Sequence, residues 1–334
     1  MKIIIDAFGG DAENEIVKGA VLALEKNTDV SIILTGDKAK LLNQLNSYTF
    51  DKNRIEIIHA PDIITNDDIP TSVITAKPES SLVKAFKSLK ERGDIDAMIS
   101  AGNTGAILAG GIFILGRING IDRPALASAL PTINGKNVCL IDSGANVDCE
   151  PKLLVQFVLM GASFMQGVYN IENPKVALVS VGVEDRKGNK QTKEAFNILS
   201  SMPINFVGNM EAREALSGDY DVLVCDGFIG NIVLKGIEGA AKVVMKMLGE
   251  NLKKNMPKGA DNEFIKKSFN ETLALMDFNS NGGAPLLGVN KLVLKAHGSA
   301  NSDTIKNSVL QVCKMLEGKV IEKINGRIIK FQNN

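Results

Sequence analysis

Ile95-Asp96-Ala97-Met98-Ile99-Ser100-Ala101-Gly102-Asn103-Thr104-Gly105-Ala106-Ile107 passes from an apolar run, through a turn of Gly, Asn, Ser and Thr, into a second apolar stretch. A short apolar run bounded by glycine reads as a strand covered on both faces. The stretch beyond the turn then reads as a helix. The segment 97–116 holds no charged residue. Its apolar part, 106–115, is too short for a bilayer, which takes about 20 apolar residues. A buried helix after a polar loop is the better reading.

The same unit recurs in both directions along the chain. Lys2–Ile5 leads into Asp6-Ala7-Phe8-Gly9-Gly10-Asp11 and an amphipathic stretch from Ile16 to Glu25. Val30–Leu34 ends in Thr35-Gly36-Asp37, with a helix expected over 38–45, and Ile55–Ile58 is a third strand candidate. Val138–Ile141 precedes Asp142-Ser143-Gly144-Ala145-Asn146-Val147-Asp148, with Pro151 placed to open the next helix. Val176–Val181 leads to Gly182 through Asn189, and Val222–Val224 to Cys225-Asp226-Gly227-Phe228-Ile229-Gly230-Asn231 and a long helix. Leu292–Leu294 leads to Lys295-Ala296-His297-Gly298-Ser299 and a last helix through Leu316. This alternation predicts an α/β fold, a mostly parallel sheet flanked by helices on both faces. No Pro/Ser-rich linker divides it, so residues 1–334 read as one two-lobed unit.

Composition limits the function classes. The chain has 334 residues, with 38 Lys+Arg against 38 Asp+Glu and a formal net charge of zero. That balance argues against a general nucleic-acid binder, which carries a basic excess. Two histidines (His59, His297) and four scattered cysteines argue against a zinc site of His and Cys. Isolated cysteines fit a reducing cytosol, and the acid at Asp6 interrupts any export signal.

In open parallel sheets, ligands bind beyond the carboxyl ends of strands, where loops meet helix N-termini. Glycine lets backbone N–H groups approach a ligand, and Asn, Ser and Thr add short donors. One such loop is as readily a turn or a cap. Six of them point to a site for phosphate or another small anion. The P-loop, G-x-G-x-x-G, G-x-S-x-G and H-E-x-x-H fingerprints are absent, and no nucleophile has a paired base visible in sequence. His297, between Lys295 and Ser299, is either a turn-stabilising residue or a donor to a developing oxyanion. Arg186 and Lys187 are either a solvated cluster with Glu184 and Asp185 or a phosphate anchor. His59, beside Pro61, reads as structural.

Seven motifs stand in one order: Asp6-x-x-Gly-Gly-Asp11, Ser100-Ala-Gly-Asn-Thr-Gly-Ala106, Gly116-Arg117-x4-Asp122-Arg123-Pro124-Ala125, Gly144-Ala-Asn-Val-Asp148, Val181-Gly-x-Glu-Asp-x-Lys-Gly-Asn189, Asp226-Gly-Phe-x-Gly-Asn231 and Lys295-Ala-His-Gly-Ser299. Together they resemble the acyl-acyl-carrier-protein:phosphate acyltransferases of bacterial phospholipid synthesis, the PlsX-type enzymes, over residues 1 to about 320. The resemblance implies attack of inorganic phosphate on a long-chain acyl carrier protein thioester, giving acyl phosphate. It implies a homodimer, a fold related to phosphotransacetylases and to isocitrate and isopropylmalate dehydrogenases, and no cofactor or metal. It also implies a membrane glycerol-3-phosphate acyltransferase as a further partner and a cytoplasmic location, peripheral on the inner face of the cell membrane.

Loop chemistry and resemblance together make His297, Asn103 and Lys187 the catalytic candidates. Gly102, Thr104, Gly105, Ser143, Gly144, Asn146, Arg186, Asn231, Lys295 and Ser299 are the expected phosphate or substrate contacts. The chain departs from the family at Phe8 and Ala12, where many relatives carry Met and His. Between 240 and 277, Val244, Met247, Leu248 and Leu252, then Phe264, Ile265, Phe269, Leu273 and Met276, predict two amphipathic helices joined by a turn. In the family this region resembles a projecting hairpin linked to membrane contact, but here its tip, 255–263, is polar. Residues 242–267 carry seven lysines against three acids, an excess of four positive charges. Lys253 and Lys254 are therefore expected to face an acidic carrier protein or an anionic membrane. The other readings are a short-chain enzyme using acyl-CoA, a nicotinamide-dependent decarboxylating dehydrogenase with a metal held by Asp residues, and a non-catalytic carrier-protein-binding module.

Overall fold

The computed structural model describes residues 1–65, 67–255, 262–275 and 282–332. Its strands are Lys2–Asp6 (β1), Ser31–Gly36 (β2), Ile55–His59 (β3), Ala97–Ser100 (β4), Ala125–Pro131 (β5), Asn137–Ile141 (β6), Val176–Ser180 (β7), Phe206–Glu211 (β8), Val222–Val224 (β9), Ala284–Leu287 (β10) and Leu292–Lys295 (β11). The helices are Glu13–Lys26 (α1), Lys38–Leu45 (α2), Pro70–Ala76 (α3), Ser81–Glu91 (α4), Thr104–Gly110 (α5), Pro151–Tyr169 (α6), Lys190–Ser200 (α7), Gly227–Asn255 (α8), Glu263–Leu275 (α9), Ser302–Glu317 (α10) and Val320–Gln332 (α11). The strands form one sheet in the order β3-β2-β1-β4-β11-β10-β5-β6-β9-β7-β8.

The all-apolar strands are those covered on both faces. Ile3, Ile4 and Ile5 are wholly buried. Ile3 and Ile5 pack with α1 and α10, and Ile4 packs with α3, α4 and α5 on the other face. Each such burial contributes about 1.5–3 kcal/mol. Farther along the sheet, Cys139, Ile141, Val222 and Val224 face α6. Leu140, Leu223 and Cys225 face Val233, Leu234 and Ile237 of α8. Alternation along a strand thus places α6 and α8 on opposite faces.

The sheet is parallel on both flanks but antiparallel in its middle, where β11–β10, β10–β5 and β5–β6 pair head to tail. The sequence reading found neither β5, β8 nor β10. Two antiparallel pairings, both made by β10, separate β11 from β5, and a third reverses the direction again at β6. The strands of the second lobe therefore run opposite to those of the first. The register then brings their carboxyl ends together. Leu294 lies opposite Pro285, Leu286 opposite Leu126, and Ala127 opposite Ile141. Both sets of strand-end loops meet over β5 and β10.

The expected hairpin is the second half of α8 followed by α9. Of α8 only Gly227, Gly230, Ala241 and Met245 are buried, and its 29 residues extend about 43 Å. The arms touch where Gly249 faces Phe269. The connection, with Pro257, Lys258 and Gly259, and also Met276 lie outside the described residues. Among the described residues no helix is long and apolar enough to cross a membrane.

Candidate functional site

A cleft of about 320 Å³ opens where the two sets of loops meet. Its floor is the face of β5 bearing Leu126, Ser128 and Leu130. One wall carries Thr104, Lys295 and His297 with Gly282 and Gly283, and the other Ser143, Gly144, Asn231, Leu234, Lys235 and Glu238.

The loop after β6 is shaped by Asp142, a wholly buried carboxylate. Its Oδ1 accepts from Leu126 N, Gly144 N and Ala145 N at 3.0–3.1 Å. Its Oδ2 accepts from Asn146 N at 2.7 Å and Asn146 Nδ2 at 2.8 Å. Burial raises its pKa above the ordinary carboxylate range, while these N–H donors oppose the rise. Every contact is a donation to oxygen, which the ionised form accepts in full. Ser143 sits at the cleft with its Oγ accepting from Ser128 Oγ at 2.8 Å.

Glycine is required at two points here. Gly144 has φ +142, a conformation that L side chains rarely adopt. A Cβ on Gly230 would fall 1.8 Å from the Asp142 carbonyl oxygen, so only glycine lets α8 seat directly against this loop. That seating delivers Asn231 and, one and two turns later, Lys235 and Glu238 to the cleft wall.

The opposite wall is braced in the same manner. Ser100 Oγ donates to Oδ2 of buried Asp6 at 2.7 Å, and Gly102 N donates to Ser100 Oγ at 3.0 Å. Burial pushes the Asp6 carboxyl up, against the hydrogen bonds of Ser81 and Ser100. Asn103 caps α5, its Oδ1 accepting from Ala106 N at 3.0 Å, which leaves Thr104 at the cleft. Asp11 N donates to Gly298 O at 2.9 Å, tying the first loop to the last.

His297 is the best-defined donor. Its Nδ1 lies 2.8 Å from Ser299 Oγ and accepts Ser299 N–H at 3.2 Å. With Nδ1 accepting, the neutral ring carries its proton on Nε2; this tautomer is assigned from the partner. Burial lowers its pKa first, then the positive charges of Lys295 and Lys235. Lys295 is likewise lowered, by burial and then by Lys235. Lys235 Nζ pairs with Glu238 Oε2 at 2.7 Å. The cleft therefore presents two lysines, a neutral imidazole N–H and one carboxylate, ready to receive an anion.

The structure brings together six of the expected residues, Thr104, Ser143, Gly144, Asn231, Lys295 and His297. Ser299 acts through His297. Gly102, Asn103 and Gly105 form the turn behind Thr104. Asn146 turns inward, its Nδ2 donating to Pro124 O and Asp142 Oδ2 at 2.8 Å. Arg186 and Lys187 are exposed on the loop after β7 and do not line the cleft, because that loop opens beside the outermost strand, β8, on the far side of β9. Lys253 and Lys254 are exposed in the last turn of α8. Lys235 and Glu238 were missed: at i,i+3 on a helix they read as a solvated pair, and the adjacent Gly-x-x-Gly-Asn was the only clue. Ala12 begins α1 without a side-chain cap, and Phe8 is buried beneath Lys40, whose Nζ lies 5.5 Å from the ring centre. His59 Nδ1 accepts from Lys38 N at 3.2 Å, a structural contact. Among the described residues no group of three or more His, Cys, Asp or Glu is placed to hold a metal.

A mostly parallel α/β sheet flanked by helices, with strand-end loops meeting over its centre, is a known fold. A phosphotransacetylase from Streptococcus pyogenes superposes with a TM-score of 0.62 at 16% identity, covering 96% of this chain and 94% of its own. A 4-hydroxythreonine-4-phosphate dehydrogenase from Salmonella typhimurium gives 0.53 at 15% identity, covering 94% and 99%. These likenesses concern the fold. The chain itself belongs to the fatty acid synthesis protein family, the PlsX family, whose sequence model matches residues 1–323. It is 46% identical over 332 residues to a phosphate acyltransferase of Clostridioides difficile, covering 99% of this chain and 97% of the relative. A phosphate acyltransferase of Alkaliphilus oremlandii is 47% identical over 326 residues, covering 97% and 96%.

Proposed function

We propose that the protein transfers a long-chain acyl group from acyl carrier protein to inorganic phosphate. A phosphate oxygen attacks the thioester carbonyl carbon, and the carbonyl oxygen takes up the negative charge. The intermediate collapses with loss of thiolate, which gains a proton, leaving acyl phosphate. Phosphate is already anionic at neutral pH, so the protein has to bind it, align it and stabilise the oxyanion. Lys235 and Lys295 bind the anion, with Ser143, Asn231 and Thr104 as short donors around it. His297 donates Nε2–H to the oxyanion.

The observation that carries this reading is His297, locked by Ser299 as a neutral Nε2–H donor beside two lysines in one cleft. A covalent route through cysteine lacks support, since burial pushes Cys149 up to about 12 and also raises the Cys225 thiol well above its ordinary value. The preference for an acidic carrier protein over acyl-CoA is supported by the lysine excess along α8 and α9, including exposed Lys253 and Lys254. Exposed Val243, Val244, Met247 and Leu248 on α8 form an apolar face suited to a second copy of the chain. That supports the dimer the family resemblance implies. Arg186 and Lys187 remain part of this proposal as outer cations that steer phosphate.

The test is thiol release from palmitoyl carrier protein, with and without phosphate, beside acetyl-CoA as donor. Phosphate-dependent release from the carrier protein, and little from acetyl-CoA, is expected. Equal cleavage without phosphate overturns the reading, and preference for acetyl-CoA establishes the short-chain alternative.

A further inference from the structure

A second cavity, about 330 Å³, lies on the opposite face of the sheet from the cleft, between α6, α7 and α11. Its surface is mainly apolar, from Leu159, Ile198, Met202, Ile204 and Phe331, with Ser201 among them. Arg327 and Lys330, on α11, stand beside that surface.

Arg327 is half-buried, and its Nη2 donates to Gln166 Oε1 at 3.1 Å. Gln166 Nε2 in turn donates to Glu172 Oε2 at 2.7 Å, so the nearby carboxylate is engaged through an intermediary. Among the described residues Arg327 forms no ion pair within 4.0 Å. A guanidinium offers five N–H donors in a fork shaped for carboxylate or phosphate. Here that fork is partly withdrawn from water with no carboxylate in direct contact, Glu172 acting only from beyond Gln166. Burial holds its pKa below that of a free guanidinium, with Glu172 acting the other way.

A free phosphate would satisfy the cations and leave the apolar walls wet. A neutral hydrocarbon would do the reverse. We propose that this groove binds a single-chain amphiphile with an anionic headgroup, carboxylate or phosphate. The headgroup sits on Arg327 and Lys330, and the chain lies along Met202, Ile204 and Phe331. The site is separate from the cleft and does not depend on the reaction proposed there.

Met202 supplies a readout in the groove and away from the cleft, so binding in the cleft does not confuse it. The full chain is labelled with ¹³C-methyl methionine, Met202 is assigned with Met202→Leu, and dodecanoate, dodecyl phosphate and dodecanol are titrated separately. Dodecanoate or dodecyl phosphate should shift the Met202 methyl saturably, and the tighter of the two identifies the headgroup. Arg327→Met keeps the side chain's packing and removes its charge. It should weaken binding about tenfold or more, the effect of losing a hydrogen bond to a charged group. Lys330→Met, at an exposed position, gives a second measure of the same loss if Arg327→Met does not fold. An unmoved Met202 methyl with both anionic ligands overturns the proposal. So does binding of dodecanol as tight as that of dodecanoate, or binding unchanged by removal of the cations.

Discussion

Replacing His297 by alanine removes one N–H donor and little else. The imidazole contacts Ser299 and faces the cleft, and no buried group loses a partner when it goes. Loss of one oxyanion donor costs about 10²–10³ in kcat, or about 2.7–4 kcal/mol of transition-state stabilisation. His297 is exposed to water, which competes for the oxyanion and weakens the donor's advantage. The lower end, a fall of about 10² in kcat with a modest change in KM for phosphate, is therefore expected. His297→Gln keeps an N–H at a similar reach and should recover part of the loss.

The pH dependence follows from the same contacts. The folded-state pKa lies below the free imidazole value of about 6.5, so at neutral pH the ring stays uncharged. As pH falls through the lowered value, Nδ1 takes a proton and gives up the Ser299 N–H. Because the unfolded chain binds that proton more readily, this residue's share of stability is present above about pH 6.5 and lost below. The assay is continuous thiol release from palmitoyl carrier protein at varied phosphate and pH, with urea unfolding of both variants as the control. A His297→Ala enzyme within about twofold of the parent in kcat/KM would refute the oxyanion role.

Asp142→Asn places an NH₂ against N–H donors in either amide orientation. That leaves two of them unsatisfied and lowers unfolding free energy by about 2–6 kcal/mol, read by urea denaturation. A change below about 1 kcal/mol would contradict the brace. Gly230→Ala drives a Cβ into the Asp142 carbonyl, costing about 3 kcal/mol or more and releasing Asn231 from the cleft. Unchanged stability and phosphate KM would count against it. Glu238→Gln frees Lys235 from its ion pair and removes the cleft's carboxylate, so KM for phosphate should fall, least at high salt. A rise in KM would assign Glu238 to binding. Charge reversal at Lys253 and Lys254 should raise KM for carrier protein and leave KM for phosphate as it was; equal KM values for the carrier protein would remove the docking role.

The βα units were legible because each is local. An apolar run such as Ile3–Ile5, followed by Gly9-Gly10, states its own burial and its own turn. The loop motifs were legible for the same reason, and Thr104, Ser143, Gly144, Asn231, Lys295 and His297 do stand together at the cleft. β5 and β10 were not: Pro131 ends one, Pro285 sits within the other, and although each has one partner a short turn away, the pairing that joins the two sets Leu286 opposite Leu126, far apart in sequence. Those two strands reverse the sheet and decide which loops meet. Their register points the ends of β11 and β6 at one another, and it leaves Arg186 and Lys187 outside the cleft. Lys235 and Glu238 became cleft residues only because glycine at 230 lets α8 rest on the Asp142 carbonyl. The amino-acid sequence by itself determined the kind of loop and the donors it offers, all properties of a few consecutive residues. Pairings between strands more than a hundred residues apart decided which of those loops share one site, because register is a property of two segments and neither carries it alone.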